Sequence, residues 1–140
     1  MATVRREIVT RAHPDQVWQA VRDIGALHTR LVPGFVVDTT VDGADSAVPV
    51  RTVTFGNGAV IREPIVTLDD EGRRLVWSAE GGITTHYNAS AEVLPEGDGA
   101  RVIWLADFLP AEAERTVAAM MDAGAAAMKA ALDELSGVQD

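Results

Sequence analysis

The chain has 140 residues, 47% of them apolar and 24% charged, with a net charge of −9 and no cysteine. A chain of this length carries a single domain, expected over 1–140, and can bury a core of its own. The acidic balance repels phosphate backbones and anionic lipid surfaces, so nucleic acid and membranes are not expected partners, while the lack of cysteine excludes disulfides and thiolate chemistry and fits a cytoplasmic protein.

The N-terminal "MATVRREIVT" has basic residues but no apolar h-region, so no signal peptide is read there. Residues 3–10 predict a short strand. The pattern then changes period: in "AHPDQVWQAVRDIG" Pro14 suits a first helical position, Asp15 favours the positive helix end, and Val17, Val21 and Ile24 recur at helical spacing. Gly25 closes that helix, and "ALHTRL" predicts a second short helical turn stopped by Pro33-Gly34. Strands follow with short connections: "FVVDTTV", "VRTVTF", "AVIREPIVTL", "RRLVWSAE", "TTHYNASAEVL" and "ARVIWLADFL". Their turns ("DGADSAVP", "GNG", "DDEG", "PEGDG") imply antiparallel hairpins. One long helix, from about Ala111 to Leu135, ends the chain at Ser136-Gly137. Val117, Met121, Gly124, Met128 and Leu132 fall on one stripe of it. Gly124 and the alanines around it are small for a core face, which predicts a void between helix and sheet.

Three segments carry a family likeness. "AHPDQVWQAVRD" followed by "LVPGF" resembles an opening signature of Pro-x-x-Val-Trp and a Pro-Gly turn. "VIREPIVTLDDEGRRLVWSAEGG" resembles a central hairpin, and "VIWLADFLP" before an alanine-rich helix is similar to a last strand. In this order they resemble the START-like helix-grip (SRPBCC) superfamily, in its polyketide cyclase/dehydrase-like branch. The resemblance implies an α+β helix-grip fold: a curved antiparallel sheet of about seven strands around the long C-terminal helix, with two short helices after the first strand. It also implies a hydrophobic cavity between sheet and helix, closed by the hairpin loops. A fainter similarity to the plant abscisic-acid receptors puts their cavity glutamate on Glu63, their aromatic wall on Trp77, and their polar cavity residues on the row of His86, Asn88 and Ser90. Their gate loop is replaced here by Gly56-Asn57-Gly58, so a hormone-receptor role is not implied.

The last two strands alternate in two unlike rows. With Gly97-Asp98 at the turn, Asn88 faces Asp107, Ser90 faces Leu105, and Glu92 faces Ile103. One face then carries these residues with His86 and Leu109, and the other carries Tyr87, Ala89, Ala91, Val93, Val102, Trp104, Ala106 and Phe108. Period alone leaves open which row is buried. Ile103, Leu105 and Leu109 would make an apolar stripe in water, and the receptor similarity also favours the mixed row, so that row is expected to line the cavity.

On that expectation His86, Asp107 and Glu63 are the candidate acid–base groups, since a desolvated carboxylate beside an imidazole can relay a proton. Trp77, Asn88, Ser90, Leu105, Trp104, Met121, Gly124 and Met128 are the candidate ligand contacts. The plainer alternative is that Asp107 hydrogen-bonds a neighbouring strand and His86 is a satisfied core histidine. His13 is read as a cap or surface residue, His28 as exposed, Trp18 as core, and Asp69-Asp70-Glu71 as a solvated cluster. The three histidines lack ligand spacing, so a metal is not expected, and no cofactor is read from the sequence. The expected partner is a small hydrophobic molecule, aromatic or polyketide-like, and a homodimer is compatible with the sequence. Two functions stay open: cofactor-free cyclisation or dehydration of that molecule, or its carriage or sensing without chemistry.

Overall fold

The computed structural model describes residues 2–137. Strand β1 (Ala2–Thr10) leads to helix α1 (Pro14–Arg22) and a single π-helical turn (Leu27–Leu31). Six strands follow: β2 (Val36–Asp42), β3 (Val50–Phe55), β4 (Val60–Asp69), β5 (Arg74–Ser78), β6 (His86–Glu96) and β7 (Gly99–Leu109). A 3₁₀ turn (Ala111–Ala113) opens into the long helix α2 (Glu114–Leu135). All seven strands join one antiparallel sheet in the order β1-β7-β6-β5-β4-β3-β2. Bulges in β2, between Val36 and Asp38, and in β4, between Ile65 and Thr67, each add a residue to one strand and bend the sheet. This is the helix-grip architecture implied by the family resemblance.

Local chemistry sets the first helix. His13 caps it by accepting the Asp15 N–H on Nδ1 at 3.1 Å, and Pro14 occupies the first turn, where a missing N–H costs nothing. Asp70 is more than a solvated acid. Its Oδ1 accepts from Trp18 Nε1 at 2.8 Å and from Arg22 Nε at 2.7 Å, which ties the β4–β5 turn to α1. Those two donors, Arg22 foremost, hold the Asp70 carboxyl below its usual pKa.

The hairpin register of β6 and β7 is the expected one: Asn88↔Asp107, Ser90↔Leu105 and Glu92↔Ile103, turning at Gly97-Asp98. The choice of face is reversed. Tyr87, Ala89, Ala91, Val93, Val102, Trp104, Ala106 and Phe108 are buried, whereas His86 and Leu109 are exposed and the rest of the mixed row is half-buried. Two physical reasons account for this. The small Ala89, Ala91 and Ala106 leave room for α1 to pack on that face. On the other face Ile103 sits across from Glu7 and Glu92, and Leu105 across from Arg5 and Ser90, so neighbouring side chains shelter the apolar stripe. Arg5, Glu7, Arg101 and Glu96 form a chain of ion pairs over this outer surface.

Helix α2 is fastened to one side of the sheet. From β1, Arg6 Nε donates to Asp122 at 2.5 Å and Thr10 Oγ1 to Asp133 at 2.8 Å, and from the helix Lys129 Nζ donates back to the Val9 carbonyl of β1 at 3.0 Å. Val117, Met121, Gly124, Met128 and Leu132 are its buried stripe. Gly124 does not face a void. A Cβ built there would lie 2.8 Å from the Trp104 ring and 3.0 Å from Phe35, so the missing side chain admits an indole. Replacing Gly124 with Leu is therefore expected to destabilise the fold by up to about 2 kcal/mol, an overpacking cost of about 1–3 kcal/mol less a helix-propensity gain just under about 1 kcal/mol. Urea unfolding measures this, and a variant as stable as the parent would mean that Trp104 has free space to move into.

Candidate functional site

The sheet curves away from α2 on the β3–β5 side and leaves a cavity of about 860 Å³. Its walls are Arg51 and Phe55 from β3, Ile61 and Glu63 from β4, Leu75 and Trp77 from β5, with Tyr87, Ala91 and Trp104 behind them. From the helix come Thr116, Ala119, Met120, Ala123 and Ala127, beside Val117 and Met128. Thr116, Met120, Ala123 and Ala127 each precede a residue of the buried stripe by one position, so they occupy a face turned roughly 100° from it. Alanine on that face supplies the space.

The mouth is framed by three connections. Phe35 lies edge-on to Phe55 with ring centres 5.3 Å apart, and Gly56 donates its N–H to the Phe35 carbonyl at 2.9 Å. A Cβ on Gly56 would stand 2.6 Å from the Gly34 carbonyl oxygen, so glycine lets these two loops touch. Across from them the loop at Gly81, Gly82, Ile83 and Thr84 completes the rim, with Ile83 59% exposed.

One charged pair sits inside this apolar chamber. Arg51 and Glu63 are direct cross-strand partners, and Arg51 Nε donates to Glu63 Oε1 at 2.7 Å. The side chains are only 2% and 9% exposed. The Arg51 guanidinium lies 5.1 Å from the centre of the Trp77 ring, a cation–π arrangement that adds a second anchor. Burial raises the pKa of Glu63, and Arg51 opposes the rise without cancelling it. The Tyr87 hydroxyl is pushed well above its usual range by burial and then by the nearby Glu63 charge. Among the described residues, Arg51 Nη1 and Trp104 Nε1 are buried donors with no acceptor.

The candidate residues from the sequence thus divide. Glu63, Trp77, Trp104 and Met128 line the cavity together. His86, Asn88, Ser90, Leu105 and Asp107 belong to the outer face, where Thr3 Oγ1 donates to Asp107 Oδ1 across β1 and β7. The acid–base relay expected between His86 and Asp107 therefore has no place in this cavity. Met121 is fully buried in the helix core, and Gly124 abuts Trp104; neither is part of the cavity wall. His28 is half-buried rather than exposed, with Nδ1 3.1 Å from Thr39 Oγ1. Sequence reasoning missed the apolar walls Phe55, Ile61, Leu75 and Tyr87 and, among charged residues, Arg51. The signal for Arg51 was available: in "VRTVTF" the charged Arg51 alternates in step with Val53 and Phe55, on the row a strand would bury. Among the described residues, no group of three or more His, Asp or Glu side chains is placed to hold a metal ion. No helix among them is long and apolar enough to cross a membrane.

The chain belongs to the family described as polyketide cyclase / dehydrase and lipid transport, which it matches over residues 1–136. Solved structures share the fold. A protein from Thermobifida fusca is 32% identical, with a TM-score of 0.81 over 98% of this chain and 94% of that one. XoxI from Bacillus cereus is 21% identical, with a TM-score of 0.83 over 96% and 98%. The Zhui aromatase/cyclase of Streptomyces sp. R1128 is 14% identical, with a TM-score of 0.79 over 97% and 93%. No curated protein matches the chain.

The buried pair makes a measurable demand. Removing Arg51 alone, as in Arg51→Met, strands the Glu63 carboxylate and is expected to cost about 3–5 kcal/mol at pH 7. A carboxyl whose folded pKa is raised holds its proton longer in the folded than in the unfolded state. Its burden is thus absent below the ordinary glutamate pKa and grows as pH rises through the raised value. Arg51→Met should accordingly regain stability on acidification towards pH 5, and Arg51→Met/Glu63→Leu should regain it at every pH. Urea midpoints between pH 5 and pH 8 report this; a single variant with a flat profile would show that Glu63 finds another partner.

Proposed function

We propose that the chain binds a small hydrophobic molecule, aromatic or polyketide-like, and encloses it between the sheet and α2. The observation that carries this reading is the cavity of about 860 Å³, apolar on nearly every side but with a few polar groups converging at Arg51 and Glu63. Sites for small molecules commonly measure roughly 300–1,000 Å³ and combine apolar walls with a few placed polar groups. Membership of a family described by polyketide cyclase, dehydrase and lipid transport supports it, as does the fold shared with an aromatase/cyclase. Trp77 and Trp104 would serve as flat walls for rings, Met120 and Met128 as adaptable ones.

Carriage or sensing fits the site better than an acid–base relay, because of the three proposed acid–base groups only Glu63 lines the cavity. Cofactor-free cyclisation or dehydration is a second reading, and the raised proton affinity of Glu63 is the observation in its favour. A lone carboxyl of that kind could both take and return a proton.

Filling the cavity from the helix side tests binding directly. Ala127→Phe places a ring into the space while leaving the buried stripe and the β1 anchors of α2 untouched. Affinity for an uncharged dye such as Nile red is expected to fall at least about tenfold, the loss of roughly 1.4 kcal/mol of contact. Circular dichroism should show the fold intact. Unaltered dye affinity in a folded Ala127→Phe variant would place the binding elsewhere.

A further inference from the structure

This inference rests on the binding reading above and concerns the ligand's chemistry. The polar atoms of the inner wall are not equally available. Arg51 Nη1 and Trp104 Nε1 are sealed by their neighbours and offer a ligand nothing. The Arg51 Nε–H is already given to Glu63 Oε1. Two polar atoms remain. Glu63 Oε2 and the Tyr87 hydroxyl belong to side chains that line the cavity; among the described residues neither has a hydrogen-bond partner, and neither is sealed. An ionised carboxylate oxygen can only accept, while a phenolic hydroxyl can donate or accept.

The sheet sets these two groups on either side of a gap. Glu63 is flanked by the pairings Arg62↔Glu80 and Ile65↔Trp77, which puts it opposite Ala79. Ala79 in turn gives its N–H to the Tyr87 carbonyl at 3.1 Å. Glu63, Ala79 and Tyr87 therefore form one row across β4, the end of β5 and β6. Two strand spacings separate the bases of the long side chains, roughly 10 Å, with only the Ala79 methyl group between them. The Glu63 charge is felt at the Tyr87 hydroxyl, so both ends reach into the same space.

Charge narrows the ligand further. Arg51 and Glu63 balance each other, and among the described residues no other charged side chain lines the cavity. An acid would set a second negative charge against Oε2, and an amine would leave two cations to one carboxylate. Either would be desolvated without a counter-charge of its own. A neutral hydroxyl leaves the balance as it is. Its one oxygen can donate to Glu63 and accept from Tyr87, making the bonds that water makes in such a niche.

We propose that the cavity selects neutral hydroxyl compounds: an apolar body whose hydroxyl sits over Ala79, donating to Glu63 Oε2 and accepting from the Tyr87 hydroxyl.

The probes are 2-naphthol, 2-methoxynaphthalene (which can accept but not donate), 2-methylnaphthalene and 2-naphthoate, titrated into the full chain by calorimetry at pH 7.5. Naphthol is expected to bind at least about tenfold tighter than the ether or the hydrocarbon, as a hydrogen bond to a charged acceptor should give, with naphthoate the weakest. In Glu63→Gln the carboxamide oxygen stays on Arg51 and its N–H₂ faces the cavity, so the advantage of naphthol over the ether should vanish. Tyr87→Phe should weaken naphthol several-fold while keeping its advantage over the ether. Should Glu63→Gln not fold, the ranking of the parent and Tyr87→Phe decide. Equal affinity for naphthol and the ether, tighter binding of naphthoate, or an advantage of naphthol that survives in folded Glu63→Gln would overturn the assignment. A naphthol affinity unmoved by Tyr87→Phe would take the hydroxyl out of the niche over Ala79 and overturn it equally. Failure of all four probes, methylnaphthalene included, would instead remove the binding reading on which it rests.

Discussion

The lateral anchoring of α2 governs the rest of the molecule. Three polar ties hold the helix to β1, at Arg6, Thr10 and the Val9 carbonyl, and Gly124 lets it settle on the Trp104 ring of β7. A helix centred on the sheet would have filled the space beside Ile61, Leu75 and Trp77. Fastened along one margin, it leaves a cavity that these residues line, with Leu75 and Trp77 still buried by their neighbours, while the bulges in β2 and β4 bend the far strands around that space. The cavity is thus a consequence of where the helix is tied. Dense packing on the β1–β7 side, where core side chains interlock as in any folded interior, is what permits sparse packing on the other.

A void of this kind is costly unless something fills it, and the chain has put an ion pair there as well. Buried pairs seldom add stability, since desolvation consumes most of their attraction. Arg51 and Glu63 are opposite each other on adjacent strands, with one N–H to one oxygen, and the guanidinium's remaining strength goes partly to the Trp77 face. Such an arrangement holds the guanidinium rigidly, with Nη1 packed away and without a hydrogen-bond partner among the described residues. Replacing a buried pair by hydrophobic residues of similar volume often leaves a protein as stable or more so, so stability alone does not account for this one.

The order of elements was legible in the sequence because punctuation and period agree: Pro14 and Gly25 around α1, Gly97-Asp98 between β6 and β7, and helical spacing from Val117 to Leu132. The face of β6 and β7 was not, because alternation is symmetric. A strand with an apolar row and a mixed row reads alike from either side, and only the layer packed against it breaks the tie. That layer is α1 and α2, whose placement depends on contacts remote in sequence, such as Trp18 with Asp70 and Arg6 with Asp122. The apolar stripe of Ile103 and Leu105 pointed the wrong way for the same reason, since the side chains that half-bury it come in part from β1, far along the chain.

The helix shows how small the difference between core and site can be. Small residues in α2 do mark a void, but not the one at Gly124. Gly124 lies on the stripe that presses against the sheet, and there the absent side chain is occupied by Trp104. Ala123 and Ala127, one position earlier in their turns, face the cavity. A shift of one residue rotates a side chain by roughly 100°, enough to move it from packed core to open wall. Glycine and alanine therefore carry opposite meanings in the same helix: glycine where a neighbour must come closer, alanine where a neighbour must be kept away from nothing at all.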